Sequence, residues 1–129
     1  MKYLIDTNVV LEVALQRTRW REASDFLRNT PLSEWGVAEF SLFSMGFYLW
    51  KTPATYDQIV GDLVSRNASM LRLDPSDLHA ATRVGKLHQL SFDDAVIYAV
   101  AELRDLTIIS FDSDFDRTPR ARFVPGSHP

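Results

Sequence analysis

A handful of acidic residues stand out by position. Asp6 closes the apolar run Lys2 to Ile5, and Asp112 closes Thr107-Ile108-Ile109-Ser110-Phe111. In an open parallel sheet, ligands gather beyond the carboxyl ends of the strands, so two aspartates that each end a strand would meet at one edge if those strands are neighbours. Asp93 and Asp94 open an alanine-rich helical stretch, and Glu39 stands among aromatic and apolar residues, where a carboxylate needs a reason. Carboxylates gathered without cations repel one another and partly protonate, whereas a divalent metal keeps them charged. Oxygen-only donors suit magnesium or manganese. Such a site supports attack of water on a phosphodiester, with metal activating the nucleophile and stabilising the leaving oxygen.

The elements that must position these residues follow from pattern. Lys2 to Ile5 reads as a strand leading into a helix through Val9, Val10, Val13 and Leu15, and Trp20 to Arg28 carries the spacing of one helix face. The spacing predicts one long helix over Trp35 to Trp50, with apolar residues on more than one stripe, so that it must be covered on two sides by the domain or by a partner. Helices are predicted over Thr55 to Arg66, Ser76 to Leu87 and Phe92 to Leu103, with a brief strand at Met70 to Leu73 before Asp74-Pro75. Thr107 to Phe111 is the clearest strand, and Arg122-Phe123-Val124 reads as a last edge strand. Strands alternating with helices imply an α/β fold of three α/β/α layers around a mainly parallel sheet.

At 129 residues the chain fits one domain over residues 1–129, and 46% hydrophobic content is enough for a self-supporting core. With no cysteine, disulfides and thiolate metal sites are excluded, which fits a reducing compartment and a cytoplasmic reading. Asp6 arrives too early for a secretory signal, and the longest apolar run, Ala95 to Ala101, is too short to span a bilayer, so no membrane association is expected. A net charge of −3 does not advertise a nucleic-acid binder, although a metal-loaded acidic site would invert the local sign. Two basic groups, Arg17, Arg19 and Arg21, and Arg117, Arg120 and Arg122, read as solvated surface or phosphate contacts.

Taken in order, Asp6-Thr7-Asn8-Val9, Ala38-Glu39-Phe40, Phe92-Asp93-Asp94-Ala95-Val96-Ile97 and Ile109-Ser110-Phe111-Asp112-Ser113-Asp114-Phe115 resemble the PIN domain, especially the VapC toxins. The likeness covers nearly the whole chain. It implies that Asp6, Glu39, Asp94 and Asp112 match the family's acidic quartet, with Asp6, Asp94 and Asp112 on the metal. Asn8, Ser110, Asp93 and Asp114 would support them from outside. It further implies magnesium- or manganese-dependent cleavage of RNA, a homodimer, and inhibition by a VapB-like antitoxin.

Blander readings exist for each residue. Ser91 with Asp94 has capping-box spacing, Asp6 could head an Asx turn, and Asp112 with Ser113 could be an ordinary turn. Glu39 could face solvent, and Trp35, Phe43, Phe47 and Trp50 read as core or interface before they read as a base-stacking platform. His79 and His88 lack metal-ligand spacing and read as surface or satisfied core. An aspartyl-nucleophile phosphatase would also place an aspartate after the first strand, but usually with a second one where Asn8 stands. A catalytically silent binding module is the other alternative. There is no Gly-x-Ser-x-Gly elbow, phosphate loop or dinucleotide fingerprint.

Overall fold

The structure is a computed structural model, and it describes residues 1–127. Four strands form its sheet: β1 (Tyr3–Ile5), β2 (Trp35–Ala38), β3 (Ser69–Leu71) and β4 (Thr107–Ile109). Six helices connect and flank them: α1 (Thr7–Ala14), α2 (Trp20–Asn29), α3 (Glu39–Tyr48), α4 (Pro53–Ser65), α5 (Leu78–His88) and α6 (Phe92–Arg104). The strand order is β3-β2-β1-β4 and every pairing is parallel, with Leu4 opposite Gly36 on one side and Ile108 on the other.

Alternation along the strands divides the core into two layers. Leu4, Ala38, Leu71 and Ile108 face α5 and α6, while Ile5, Trp35, Val37 and Ile109 face α1 to α4. The result is the expected three-layer α/β/α arrangement. Helix α6 packs hardest, since Ala95 to Ala101 are all buried. Its alanines let the helix approach the sheet, and Val96, Ile97, Tyr98 and Val100 each gain roughly 1.5–3 kcal/mol from leaving water. Ser91 caps its start and the left-handed Asp105 ends it.

Two expectations are corrected. The single helix predicted over Trp35 to Trp50 is a strand, β2, followed directly by α3. A strand buried on both faces loses its alternation, and all four residues of β2 are buried, so periodicity could not separate it from a helix. Gly36 marks the difference. A Cβ there would lie 3.1 Å from the Ser69 carbonyl oxygen of β3, so the close approach of these strands favours glycine. The predicted edge strand at Arg122 to Val124 reduces to one parallel bridge between Phe123 and Ile109. Pro125 follows at once and lacks the amide needed to extend it.

Candidate active site

From β1 the chain moves outward to β2 and β3, then returns across the sheet to place β4 on the other side of β1. The reversal opens a crevice at the carboxyl ends of β1 and β4, the ligand position in doubly wound sheets. Asp6 and the Ser110 to Asp114 segment occupy it. Asp6 is buried, at 5% exposure, and caps α1 by accepting from the Thr7 amide at 2.8 Å. Its second oxygen accepts from the Ser110 hydroxyl at 2.7 Å. That hydroxyl in turn accepts from the Asn8 side-chain amide at 3.2 Å and the Asp112 backbone amide at 2.9 Å. The Phe111 amide donates to the Asn8 carbonyl oxygen at 3.3 Å, so Asn8 and Ser110 tie the two strand ends together.

Around this pivot the remaining carboxylates converge. Asp112 accepts from the Asp114 amide at 2.9 Å, which curls the following turn inward. Asp94 reaches the same place from the first turn of α6, where its amide donates to Ser91 at 3.3 Å. Asp94, Asp112 and Asp114 each offer an oxygen, and the three lie within 4.8 Å of one another. Asp6, Asp93, Asp94 and Asp112 line a cleft of about 230 Å³. The turn readings of Asp6 and Asp112 hold alongside the cluster, since each uses a lone pair on a backbone amide and keeps others free. At α6, by contrast, Ser91 does the capping, and among the described residues the Asp94 carboxylate takes no backbone amide.

The electrostatics bear the mark of crowding. Burial, with the Asp112 and Asp93 charges adding, pushes the Asp6 carboxyl up to about 6, against the lowering hydrogen bonds from Ser110 and Thr7. Burial followed by the charges of Asp112, Asp6 and Asp114 pushes Asp94 up to about 7. The donors around the trio include one cation, Arg117, which donates to Asp114 at 3.0 Å. A site this short of positive charge, built of oxygens at such separations, fits a divalent cation held by Asp94, Asp112 and Asp114, with Asp6 beside them.

The structure brings together Asp6, Asp94, Asp112 and Asp114, with Asn8 and Ser110 beneath them. Asp93 lies on the rim, accepting from the Ser44 hydroxyl at 3.4 Å. Glu39 is not in the group. As the first residue of α3 it turns toward β3, pairs with Arg72 and lines a separate recess. The resemblance through Ala38-Glu39-Phe40 implied that it joins Asp6, Asp94 and Asp112; its pair with Arg72 holds the side chain toward β3 instead. The stripe that α3 presents to the cleft is Phe40, Ser44 and Tyr48, spaced four apart. The i, i+4 spacing of Ser44 and Tyr48 is visible in the sequence, but only the packing of α3 against α1 and α6 shows that this face meets the cleft.

The basic groups mostly serve structure. Arg19 lies over the Phe111 ring at 4.4 Å, Arg120 binds the Leu106 carbonyl, and Arg122 pairs with Asp116 while reaching the Ser110 carbonyl. Arg17 donates to the Tyr48 hydroxyl at the cleft rim. Of the aromatic residues, Trp35 is core, whereas Phe43, Phe47 and Trp50 are exposed. His88 rests edge-on against Tyr98, away from the cleft.

Comparison with known proteins agrees with this geometry. No protein of curated function is significantly similar in sequence. Among solved structures, a toxin-antitoxin complex from Klebsiella pneumoniae matches at 21% identity over 95% of both chains, with a TM-score of 0.73. FitAcB from Neisseria gonorrhoeae matches at 17% identity over 95% of this chain and 97% of that one, also at 0.73. VapC20 of Mycobacterium tuberculosis, a sarcin-ricin loop cleaving toxin, matches at 15% identity over 95% and 98%, at 0.81. At these identities the structures share the fold. The PIN domain family model matches residues 3–121, and the chain belongs to the PIN domain family.

Proposed function

We propose that this protein is a divalent-metal-dependent endoribonuclease, the toxin of a VapBC-type pair. The observation that carries the reading is the set of three carboxylate oxygens within 4.8 Å at the strand-order reversal, next to a buried Asp6. Magnesium or manganese suits these oxygen donors, and when bound it would activate water and stabilise the oxygen leaving phosphorus. Asp94, Asp112 and Asp114 would hold the ion. Ser110 and Asn8 fix Asp6 and the Asp112 turn in place, so the cleft is preorganised. Both Asp6 oxygens already accept hydrogen bonds, an arrangement ill suited to the exposed nucleophile of an aspartyl phosphatase.

The partners belong to the same proposal. Toxin-antitoxin complexes are among the structural matches, and the exposed rings of Phe47 and Trp50 on and just after α3 form a surface suited to a second copy or a VapB-like antitoxin. Among the described residues no helix is long and apolar enough to cross a membrane. Together with the absence of cysteine, this supports a cytoplasmic site of action.

The test is cleavage of single-stranded RNA with magnesium or manganese, alongside thermal stability. The wild type should cut and be stabilised by either ion; at a hundredfold excess over Kd, mass action gives about 2.7 kcal/mol. Asp94→Asn should lose at least about a hundredfold in cleavage, beyond what loss of an outer partner costs, while keeping its fold. An Asp94→Asn variant that cuts as well as the wild type would sink the reading.

A further inference from the structure

Beside the acidic cleft lies a second recess of about 460 Å³, within the range of small-ligand pockets. It opens at the carboxyl ends of β2 and β3, on the same edge of the sheet, and Phe40 lines both spaces. Leu71, Val96 and Val100 form an apolar floor, and the exposed Phe43 and Leu78 stand at its walls. Into this apolar setting the chain places one ion pair, in which the Arg72 Nε donates to Glu39 Oε2. Among the described residues the other Glu39 oxygen and both Arg72 Nη atoms make no hydrogen bond within the protein.

An exposed ion pair adds little to stability, so this one is poorly explained as a structural brace. Its free groups form a recognition edge, one carboxylate oxygen that accepts and two amino groups that donate, lining the same recess as the apolar floor. We propose that this recess is a nucleobase subsite for the RNA strand whose phosphate lies in the acidic cleft, and that it takes guanine. The inference rests on the ribonuclease reading above. Guanine offers acceptors at O6 and N7 that match a guanidinium, and donors at N1 and N2 that match a carboxylate. A guanidinium facing the acceptors and a carboxylate facing the donors disfavour a base whose groups are reversed, because donor then meets donor and acceptor meets acceptor. Reading an unstacked base by its edges, over apolar and aromatic side chains, is how proteins distinguish single-stranded RNA. Glu39 thereby has a role that the metal cluster does not give it.

Two measurements test the proposal. Single-stranded RNAs differing only at the nucleotides flanking one cleavage site are cut by the wild type, Arg72→Ala and Glu39→Gln. The wild type should favour guanine at one flank by roughly tenfold or more, and both variants should lose the preference through KM rather than kcat. Separately, without metal, guanosine 5′-monophosphate is titrated against the amide spectrum, with the adenosine, cytidine and uridine monophosphates as controls. Shifts at Glu39, Arg72 and Leu78 should appear with the guanine nucleotide and vanish in Arg72→Ala. A wild type indifferent to the flanking base, or one preferring another base, overturns the assignment. So does a Glu39→Gln variant that loses the metal-induced thermal shift along with all cleavage, since Glu39 would then be a metal ligand. An Arg72→Ala variant changed only in oligomeric state would make the recess a protein interface and also overturn it. If the wild type cuts no RNA with either ion, the ribonuclease reading fails, and the nucleotide titration still decides the recess.

Discussion

The Ser110 hydroxyl donates to Asp6 at 2.7 Å across a separation of 104 residues, joining the ends of β1 and β4. Ser110 is fully buried, and its single oxygen serves three groups: Asp6, Asn8 and the Asp112 amide. Ser110→Ala removes one side chain and strands three partners. Leaving buried polar groups unmatched costs about 1–3 kcal/mol, so the unfolding free energy in urea should fall by that amount, seen as a lower midpoint with an unchanged slope. An unchanged midpoint would show that water fills the gap without cost.

The pH dependence of the metal-free protein has a definite sign. Asp6 is raised from 3.8 to about 6, and Asp94 in the same direction to about 7, so between roughly pH 4 and 7 the folded state binds more protons than the unfolded chain. Stability is therefore fullest below the ordinary carboxylate range and is lost as pH rises through these folded values. For the buried Asp6, holding near 6 rather than 3.8 corresponds to about 3 kcal/mol. Denaturation in chelator at pH 5 and pH 7.5 should find the protein stronger at pH 5. Saturating magnesium should abolish or reverse the trend, and a rise in chelated stability with pH would contradict the burial of these groups.

Phe47, at 88% exposure, and Trp50, at 73%, are larger apolar surfaces than an isolated chain usually leaves in water. If they cover a second copy, Phe47→Glu places a desolvated charge at that seam. Sedimentation should then show a shift from dimer toward monomer by at least tenfold in dissociation constant, with thermal stability of the monomer little altered. A wild type that is monomeric at all concentrations would rule out a second copy as the cover of this face.

Sequence and structure agree where a local pattern is strong. β4 is β-branched and apolar, α6 begins with a serine cap and two acids, and both elements were legible together with Asp6, Asp94 and Asp112 at their ends. The adjacency of β1 and β4 was conditional, because nothing local specifies which strands pair. β2 was hidden for a physical reason: Trp35, Gly36, Val37 and Ala38 are all buried, so no polar residue alternates to reveal the period. Ser44 and Tyr48 carry no local signal of their place in the cleft, because the packing of α3 against α1 and α6 decides which of its faces meets it. Glu39 was grouped by the likeness of Ala38-Glu39-Phe40, whereas its partner Arg72 is remote in sequence.

The order of the strands along the chain also governs when the cleft can exist. β1, with Asp6, is made before its partner β4 and the Asp112 turn, which come more than a hundred residues later. At about 5–20 residues per second, a nascent chain passes several seconds with only one wall of its site made. Under the ribonuclease reading proposed above, the chain would thus stay inactive until β4 is made, and its activity would begin only once synthesis has passed the Asp112 turn.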